Sequence, residues 1–150
     1  MHCRDFALGP GRQIKKDYVD AGEVRFVYRH FAFLGEESVW AAEAAECAAD
    51  QGKFWEYHDI LYEKWAGTNV GAYAYNNLLG FADILELDSQ QFADCMNERS
   101  HVERVRSDSR FAEANGITST PTVFVNGERV RGAEYGAFRN AIEAALAAAQ

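Results

Sequence analysis

Residues 118–127 read TSTPTVFVNG, and this stretch carries the strongest local signal in the sequence. Pro121 stands directly before Thr122 to Val125, a run of β-branched and aromatic residues that favours a strand. Asn126-Gly127 is the strongest short signal for a hairpin turn, so residues 128–131 are predicted to return as a second strand. A proline at this place suits a tight turn and makes Thr120–Pro121 a candidate cis peptide bond, although trans is the commoner form.

The rest of the chain adds one more strand and many helices to this hairpin. Residues 24–31, VRFVYRHF, have the composition of a strand that is buried on much of both faces. Apolar residues at helical spacing then fill about 36–115, and a last helix is predicted over 135–148. Within the insertion, Asp88 to Gln91 has the spacing of a helix N-terminus, and Ser100 to Glu103 has that of a capping box that opens the helix ending at Asn115. We therefore expect a single α/β domain over 1–150, with a helical insertion at about 36–115.

Composition and motifs exclude several kinds of function. The 150 residues include 15 Lys plus Arg against 23 Asp plus Glu, and a net charge of -8 argues against nucleic-acid binding. No apolar run approaches the length of about 20 residues that spans a bilayer. The sequence has no Gly-rich phosphate loop and no metal-ligand spacing, so we expect no cofactor and no metal. His30 and His58 lie in apolar runs and are predicted to be hydrogen-bonded packing residues, with His101 solvated in the first turn of a helix.

Taken with the rest of the chain, the Thr-Pro-Thr and Asn-Gly elements resemble the signature of the DsbA-like thiol:disulfide oxidoreductases, which have a thioredoxin fold. The resemblance covers essentially residues 2–148. Its other parts are Cys3-Arg4-x-Phe6, Arg29-His30-Phe31, AAEAAECA at 41–48, GKFWEYHD at 52–59, Phe92-x-x-Cys95 and Gly132-Ala133. Their order and spacing together identify the family. The resemblance implies a thioredoxin-like sheet interrupted by the helical insertion.

The family's active site is a Cys-x-x-Cys motif that opens the first helix. The first cysteine attacks as a thiolate, which the helix N-terminus stabilises, and the second resolves the mixed disulfide. Met1-His2-Cys3 is similar to the last three positions of Cys-x-His-Cys. The resemblance therefore implies that Cys3 is the resolving thiol and His2 tunes the pair, while the attacking cysteine falls one position before Met1. Thr120 and Pro121 would offer their backbone to the substrate.

The strand that precedes the active-site helix in this family is missing as well. It lies in the middle of the family's sheet, so we expect a family domain that is truncated at its N-terminus and has unpaired strand edges. The hypothesis is that the empty position closes by direct pairing of 24–31 with 122–125, or is filled by a partner chain. Gly9-Pro10-Gly11 should also break the first helix, where family members carry a proline later.

The chain has three cysteines, so at least one thiol has no partner within it. The resemblance implies a structural disulfide between Cys47 and Cys95, which fall on the apolar faces of two helices of the insertion. The alternative is a pair of reduced, buried thiols that pack as small hydrophobic residues.

The resemblance implies thiol–disulfide exchange on cysteine-containing proteins, impaired here because only the resolving cysteine is present. The alternatives are a non-catalytic thioredoxin-like module that binds extended peptides and a cytosolic glutathione- or isomerase-type relative. Expected partners are protein substrates, a membrane protein that re-oxidises the cysteine pair, and a second copy joined through the empty sheet position or Cys3. A full-length member would be extracytoplasmic (periplasmic, secreted or membrane-tethered). The sequence as given shows no secretory signal and would stay cytoplasmic.

Overall fold

The computed structural model describes residues 2–150, which divide into two compact units. The terminal unit combines residues 2–28 with 117–150, and the helical unit comprises residues 29–116. In the described residues the helices are α1 His2–Leu8, α2 Pro10–Ile14, α3 Glu36–Ala49, α4 Phe54–Glu63, α5 Tyr75–Ile84, α6 Ser89–Asn97, α7 Val102–Ala114 and α8 Tyr135–Ala148. A π-helical turn, Lys15–Val19, continues α2, and the strands are β1 Phe124–Val125 and β2 Glu128–Arg129. No helix in these residues is long and apolar enough to cross a membrane.

The predicted hairpin at 122–131 is confirmed. Strands β1 and β2 pair antiparallel, with Phe124 opposite Arg129 and Val125 opposite Glu128. Asn126 and Gly127 have positive φ angles of 47° and 85°, which is the backbone geometry that makes Asn-Gly the preferred two-residue hairpin turn. The hairpin lies in the terminal unit, where its apolar residues join the core formed with α8.

The predicted strand at 24–31 is wrong, because these residues take no regular secondary structure. The described residues contain one sheet of two strands, β1 and β2, so the direct pairing of 24–31 with 122–125 is not formed. A segment with the composition of a strand still needs a neighbour to accept and donate its backbone hydrogen bonds. No other strand in residues 2–150 fills that role, and Val27 is 58% exposed. Pairing with a partner chain stays a prediction.

The helical unit is built around α3, whose alanines allow the neighbouring helices to approach closely. Its core contains the buried side chains of Tyr57 and Leu78, and the Tyr57 hydroxyl donates to the Leu78 carbonyl oxygen at 2.8 Å. Burial raises the pKa of Tyr57, since the phenolate would lose its hydration there. This unit matches the thioredoxin-like expectation of a helical insertion.

Two helix starts in this unit were predicted from sequence, with different outcomes. Asp88 caps α6 as expected, because its carboxylate accepts a hydrogen bond from the Gln91 amide at 2.9 Å. The capping box predicted at Ser100 was wrong. Helix α7 begins at Val102, the residue before it is His101, and no side chain caps this end. Glu103, which would have closed that box, instead pairs with Arg110 further along the same helix.

Candidate functional site

Cys3 lies in the first turn of α1, in the terminal unit. It is the free cysteine of the described residues and is partly exposed, and the neighbouring His2 is exposed. Phe6, one helical turn further on, packs edge-on against Phe138 of α8, with ring centroids 5.3 Å apart. The helix is therefore anchored through its apolar side, and Cys3 keeps part of its surface exposed. Met1, the other residue in the predicted motif, lies outside the described residues.

The break predicted in the first helix is confirmed and falls at Gly9. A Cβ added to Gly9 would come within 2.8 Å of the Asp5 carbonyl oxygen, so a side chain there would displace the backbone of α1. Pro10 then opens α2, and the Gln13 amide still donates to the Gly9 oxygen at 3.1 Å. The helical path therefore resumes at once, and Cys3 remains attached to an ordered helical segment.

The Thr120–Pro121 loop belongs to the same unit as Cys3. Its peptide bond is cis, both residues are half-buried, and the Thr122 hydroxyl donates to the Ser119 oxygen at 2.6 Å. Val123, two residues further on, packs against the same apolar cluster as Phe6. The proline loop and the Cys3 helix thus share one core.

Cys47 and Cys95 are joined by a disulfide in the helical unit, between α3 and α6. Cys47 is 1% exposed, and Cys95 is partly buried beside an open depression. The bond joins α3 directly to α6. It is separate from Cys3, so the three cysteines divide into a bonded pair and one free thiol.

His30 and Glu46 form a buried polar pair in the helical unit. The His30 Nε2 and the Glu46 Oε1 lie 2.7 Å apart, and the His30 amide donates to the Asp108 carboxylate at 3.0 Å. Burial acts to raise the pKa of Glu46, but the His30 hydrogen bond and the positive charges of His30, Arg104 and His101 together lower it. His58 similarly contacts Asp59 at 2.9 Å, so the prediction that His30 and His58 are hydrogen-bonded packing residues is confirmed.

His101 was predicted to be solvated, and that prediction is wrong. Its Nε2 lies 2.7 Å from the Asp50 carboxylate, and its side chain is 22% exposed. Potential ligand atoms of Cys47, Cys95 and His101 all lie within 4.8 Å of one another. No motif spacing could reveal this group, because the packing of α6 and α7 on α3 brings together residues that are distant in the sequence.

Comparison with known proteins decides the family. The model of the family described as Thioredoxin matches residues 1–144. The chain belongs to the thioredoxin family. Within it, the domain is DsbA-like: it is 28% identical over 149 residues to disulfide bond formation protein D of Bacillus subtilis, covering 96% of this chain and 67% of that protein. The crystal structure of oxidised BdbD from Bacillus subtilis superimposes with a TM-score of 0.86 and 27% identity, over 97% of this chain and 80% of that one.

Other relatives carry the DsbA-like domain as a small part of a longer chain. The Na+/H+ antiporter NhaA 1 of Salinispora arenicola is 36% identical over 121 residues. That match covers 79% of the present chain but 18% of the antiporter. The domain described here therefore spans less than a fifth of the length of that relative.

Proposed function

We propose that this DsbA-like domain exchanges disulfides with cysteine-containing proteins, with Cys3 as the resolving thiol. The family match across residues 1–144 is the observation that carries the proposal. The partly exposed Cys3 and the Thr120–Pro121 loop support it, since neighbouring residues of both, Phe6 and Val123, pack on the same core. In this role the backbone at Thr120 and Pro121 holds an extended substrate strand, and His2 tunes the cysteine pair.

The chemistry that Cys3 can perform alone is half of the exchange. Its thiolate attacks one sulfur of a substrate disulfide, so that a mixed disulfide forms and the other substrate sulfur leaves as a thiolate. Releasing the substrate in oxidised or reduced form needs a second thiol beside Cys3. Cys3 without a second thiol therefore stops at the mixed disulfide, whereas a cysteine at the position before Met1 would complete the cycle.

The proposal extends to partners and compartment. The Bacillus subtilis relative is named disulfide bond formation protein D, and proteins that acquire disulfides outside the cytoplasm are the proposed substrates. A membrane protein that accepts electrons from the cysteine pair is the proposed re-oxidising partner. A second copy of the chain, paired along 24–31 or joined through Cys3, is the proposed homodimer.

Trapping at Cys3 tests the proposal on the chain as it exists. The chain is reacted with an extended peptide that carries an activated disulfide, and separately with a small activated disulfide of the same leaving group. We expect the peptide to react several-fold faster, at Cys3 alone, as located by mass spectrometry after digestion. Pro121→Ala should remove the peptide's advantage while leaving the small-molecule rate unchanged, and Cys3→Ser should remove both reactions.

The same measurement distinguishes disulfide exchange from the alternative function, that of a non-catalytic peptide-binding module. Such a module would bind the peptide with equal affinity in the parent and in Cys3→Ser, and the peptide would gain no rate at Cys3. Equal rates for the peptide and the small disulfide, together with intact peptide binding, would reject exchange in favour of binding.

A further inference from the structure

We propose that Cys47, Cys95, His101 and Asp50 form a zinc site when the Cys47–Cys95 disulfide is reduced. The site lies in the helical unit and is independent of the Cys3 chemistry. Its residues come from three helix ends. Cys47 stands near the C-terminus of α3 and Asp50 caps that end, Cys95 lies in α6, and His101 is the residue before α7.

The distances are close to those of a coordination shell. Potential ligand atoms of Cys47, Cys95 and His101 lie within 4.8 Å of one another. Asp50 Oδ2 lies 3.7 Å from the Cys95 Sγ and 2.7 Å from the His101 Nε2. With zinc–ligand bonds of about 2.0–2.3 Å in a tetrahedron, neighbouring ligand atoms stand roughly 3.3–3.8 Å apart. Side-chain rotations can therefore bring four donors to one ion without moving the helices.

The donor set selects the metal. Two thiolates, one imidazole and one carboxylate suit zinc, whereas calcium and magnesium prefer shells of oxygen ligands. In the oxidised state the sulfurs bind each other, and Asp50 and His101 contact each other at 2.7 Å in place of metal bonds. The disulfide and the ion therefore compete for the same two sulfurs.

The surroundings favour a cation. Asp50 lies at the C-terminus of α3, where the helix dipole adds negative potential to that of the carboxylate. Cys95 also lines an open depression with the acidic residues Asp88, Asp94 and Glu98. This depression gives both a reductant and a hydrated ion access to the Cys95 sulfur, while Cys47 stays buried behind it.

The redox step needs a dithiol as reductant. One thiolate of the dithiol attacks the sulfur of Cys95, the less buried of the two cysteines, and releases Cys47 as a thiolate; the second dithiol sulfur then displaces Cys95. The dithiol becomes a disulfide, and its two electrons and two protons leave two cysteine thiols in the protein. Zinc then replaces the two thiol protons, which are released to solvent.

The test uses the full chain carrying Cys3→Ser, so that no other thiol can bind metal. The protein is reduced with a phosphine, freed of reductant without oxygen, and titrated with Co²⁺ and then Zn²⁺. We expect one ion per chain, thiolate-to-cobalt charge transfer and the visible bands of tetrahedral cobalt, with no binding by the oxidised protein. His101→Ala and Asp50→Asn should each weaken zinc binding by roughly tenfold or more, measured by competition with a chromophoric chelator.

Asp94→Asn is the matched control, because Asp94 lines the same depression but is not a proposed ligand. Its zinc affinity should equal that of the parent. The proposal is overturned if cobalt gives no thiolate charge transfer in the reduced protein, or if His101→Ala binds zinc as tightly as the parent. Equal weakening in Asp94→Asn and Asp50→Asn would reject Asp50 as a ligand.

If the reduced chain loses helix, circular dichroism measures whether zinc restores it. Zinc should then restore the helical signal in the parent and fail to do so in His101→Ala. A reduced chain that stays unfolded with zinc present would overturn the proposal.

Discussion

The two units of the molecule differ in how much of each is buried. The helical unit has a core of 13 buried side chains and a disulfide across it. The core of the terminal unit contains four buried side chains in the described residues, namely Ile14, Tyr18, Phe138 and Ile142. The residues proposed for exchange, Cys3 and the Thr120–Pro121 loop, lie in this sparser unit. The helical unit therefore contains most of the buried side chains, whereas the terminal unit contains the residues proposed for thiol–disulfide exchange.

Removing the disulfide should give the largest loss of stability. The bond joins residues separated by 48 positions, and the loop-entropy treatment assigns such a link roughly 4 kcal/mol of unfolding free energy. Cys47→Ser/Cys95→Ser in a Cys3→Ser background should lose about that amount in urea unfolding, without added metal. The Cys3→Ser chain is the control and should remain close to the parent. A double variant as stable as its control would contradict the view that the bond holds the helical unit.

The next largest effect should come from emptying the helical core. Leu78 is fully buried in α5, so Leu78→Ala should cost roughly 3 kcal/mol of unfolding free energy. Ile142→Ala makes the matched change in the terminal unit and should cost less, about 2 kcal/mol, since partly exposed neighbours there can relax into the gap. Urea unfolding measures both variants. A larger loss of unfolding free energy in Ile142→Ala than in Leu78→Ala would contradict the view that the helical unit is the more tightly packed of the two.

The buried pair His30–Glu46 should make the helical unit sensitive to acid. The pKa of Glu46 is lowered from its usual 4.5 in the folded chain, so its stabilisation is complete above that pH and is lost as the pH falls through the folded value. Glu46→Gln should cost roughly 2 kcal/mol at pH 7 and flatten the stability profile below about pH 4.5. The measurement is thermal unfolding from pH 7 to 3.

Glu103→Gln provides a matched control for Glu46→Gln. Glu103 pairs with Arg110 on the exposed surface of α7, so its replacement should change the thermal midpoint little at any pH. Parallel pH profiles for Glu46→Gln and the parent would show that the buried pair is not the acid-sensitive element.

Alanine substitutions at two glycines should give the smallest changes in stability, and the changes should have opposite signs in the two units. Gly9→Ala should destabilise the terminal unit by about 1 kcal/mol, because the new methyl group would approach the Asp5 carbonyl oxygen within 2.8 Å. Gly80→Ala should stabilise the helical unit by roughly 0.5–1 kcal/mol, since nothing lies within 4 Å and alanine favours a helix interior. Unfolding midpoints check both, and equal signs would contradict the packing described at Gly9.

The sequence predicts those features that are governed by local chemistry. The Asn126-Gly127 turn, the break at Gly9 and the Asp88 cap depend on nearby backbone geometry, and each lies where it was expected. The resemblance implied the pairing of Cys47 with Cys95, which the structure contains. Composition alone could not show whether residues 24–31 form a strand. A strand needs a neighbouring strand for its backbone hydrogen bonds, and the composition of a segment does not reveal whether such a neighbour is present.

The group around His101 could not be predicted for a different reason. Ser100 and Glu103 have the spacing of a capping box, which placed His101 in a solvated first turn. In the structure α7 starts later and His101 contacts Asp50 at the end of α3. Long-range packing of helices thus decided both the helix start and the proximity of His101 to the disulfide.

The most direct test of the proposed function adds one cysteine immediately before Met1, which creates a Cys-x-x-Cys with Cys3. The oxidised extended chain is mixed with a peptide that has two thiols, and formation of the peptide disulfide is followed by mass spectrometry. We predict one peptide oxidised per chain, and no peptide oxidised when Cys3→Ser is added, because that variant has no active-site disulfide to transfer. A folded extended chain that leaves the peptide reduced would contradict the account of this domain as a thiol:disulfide oxidoreductase.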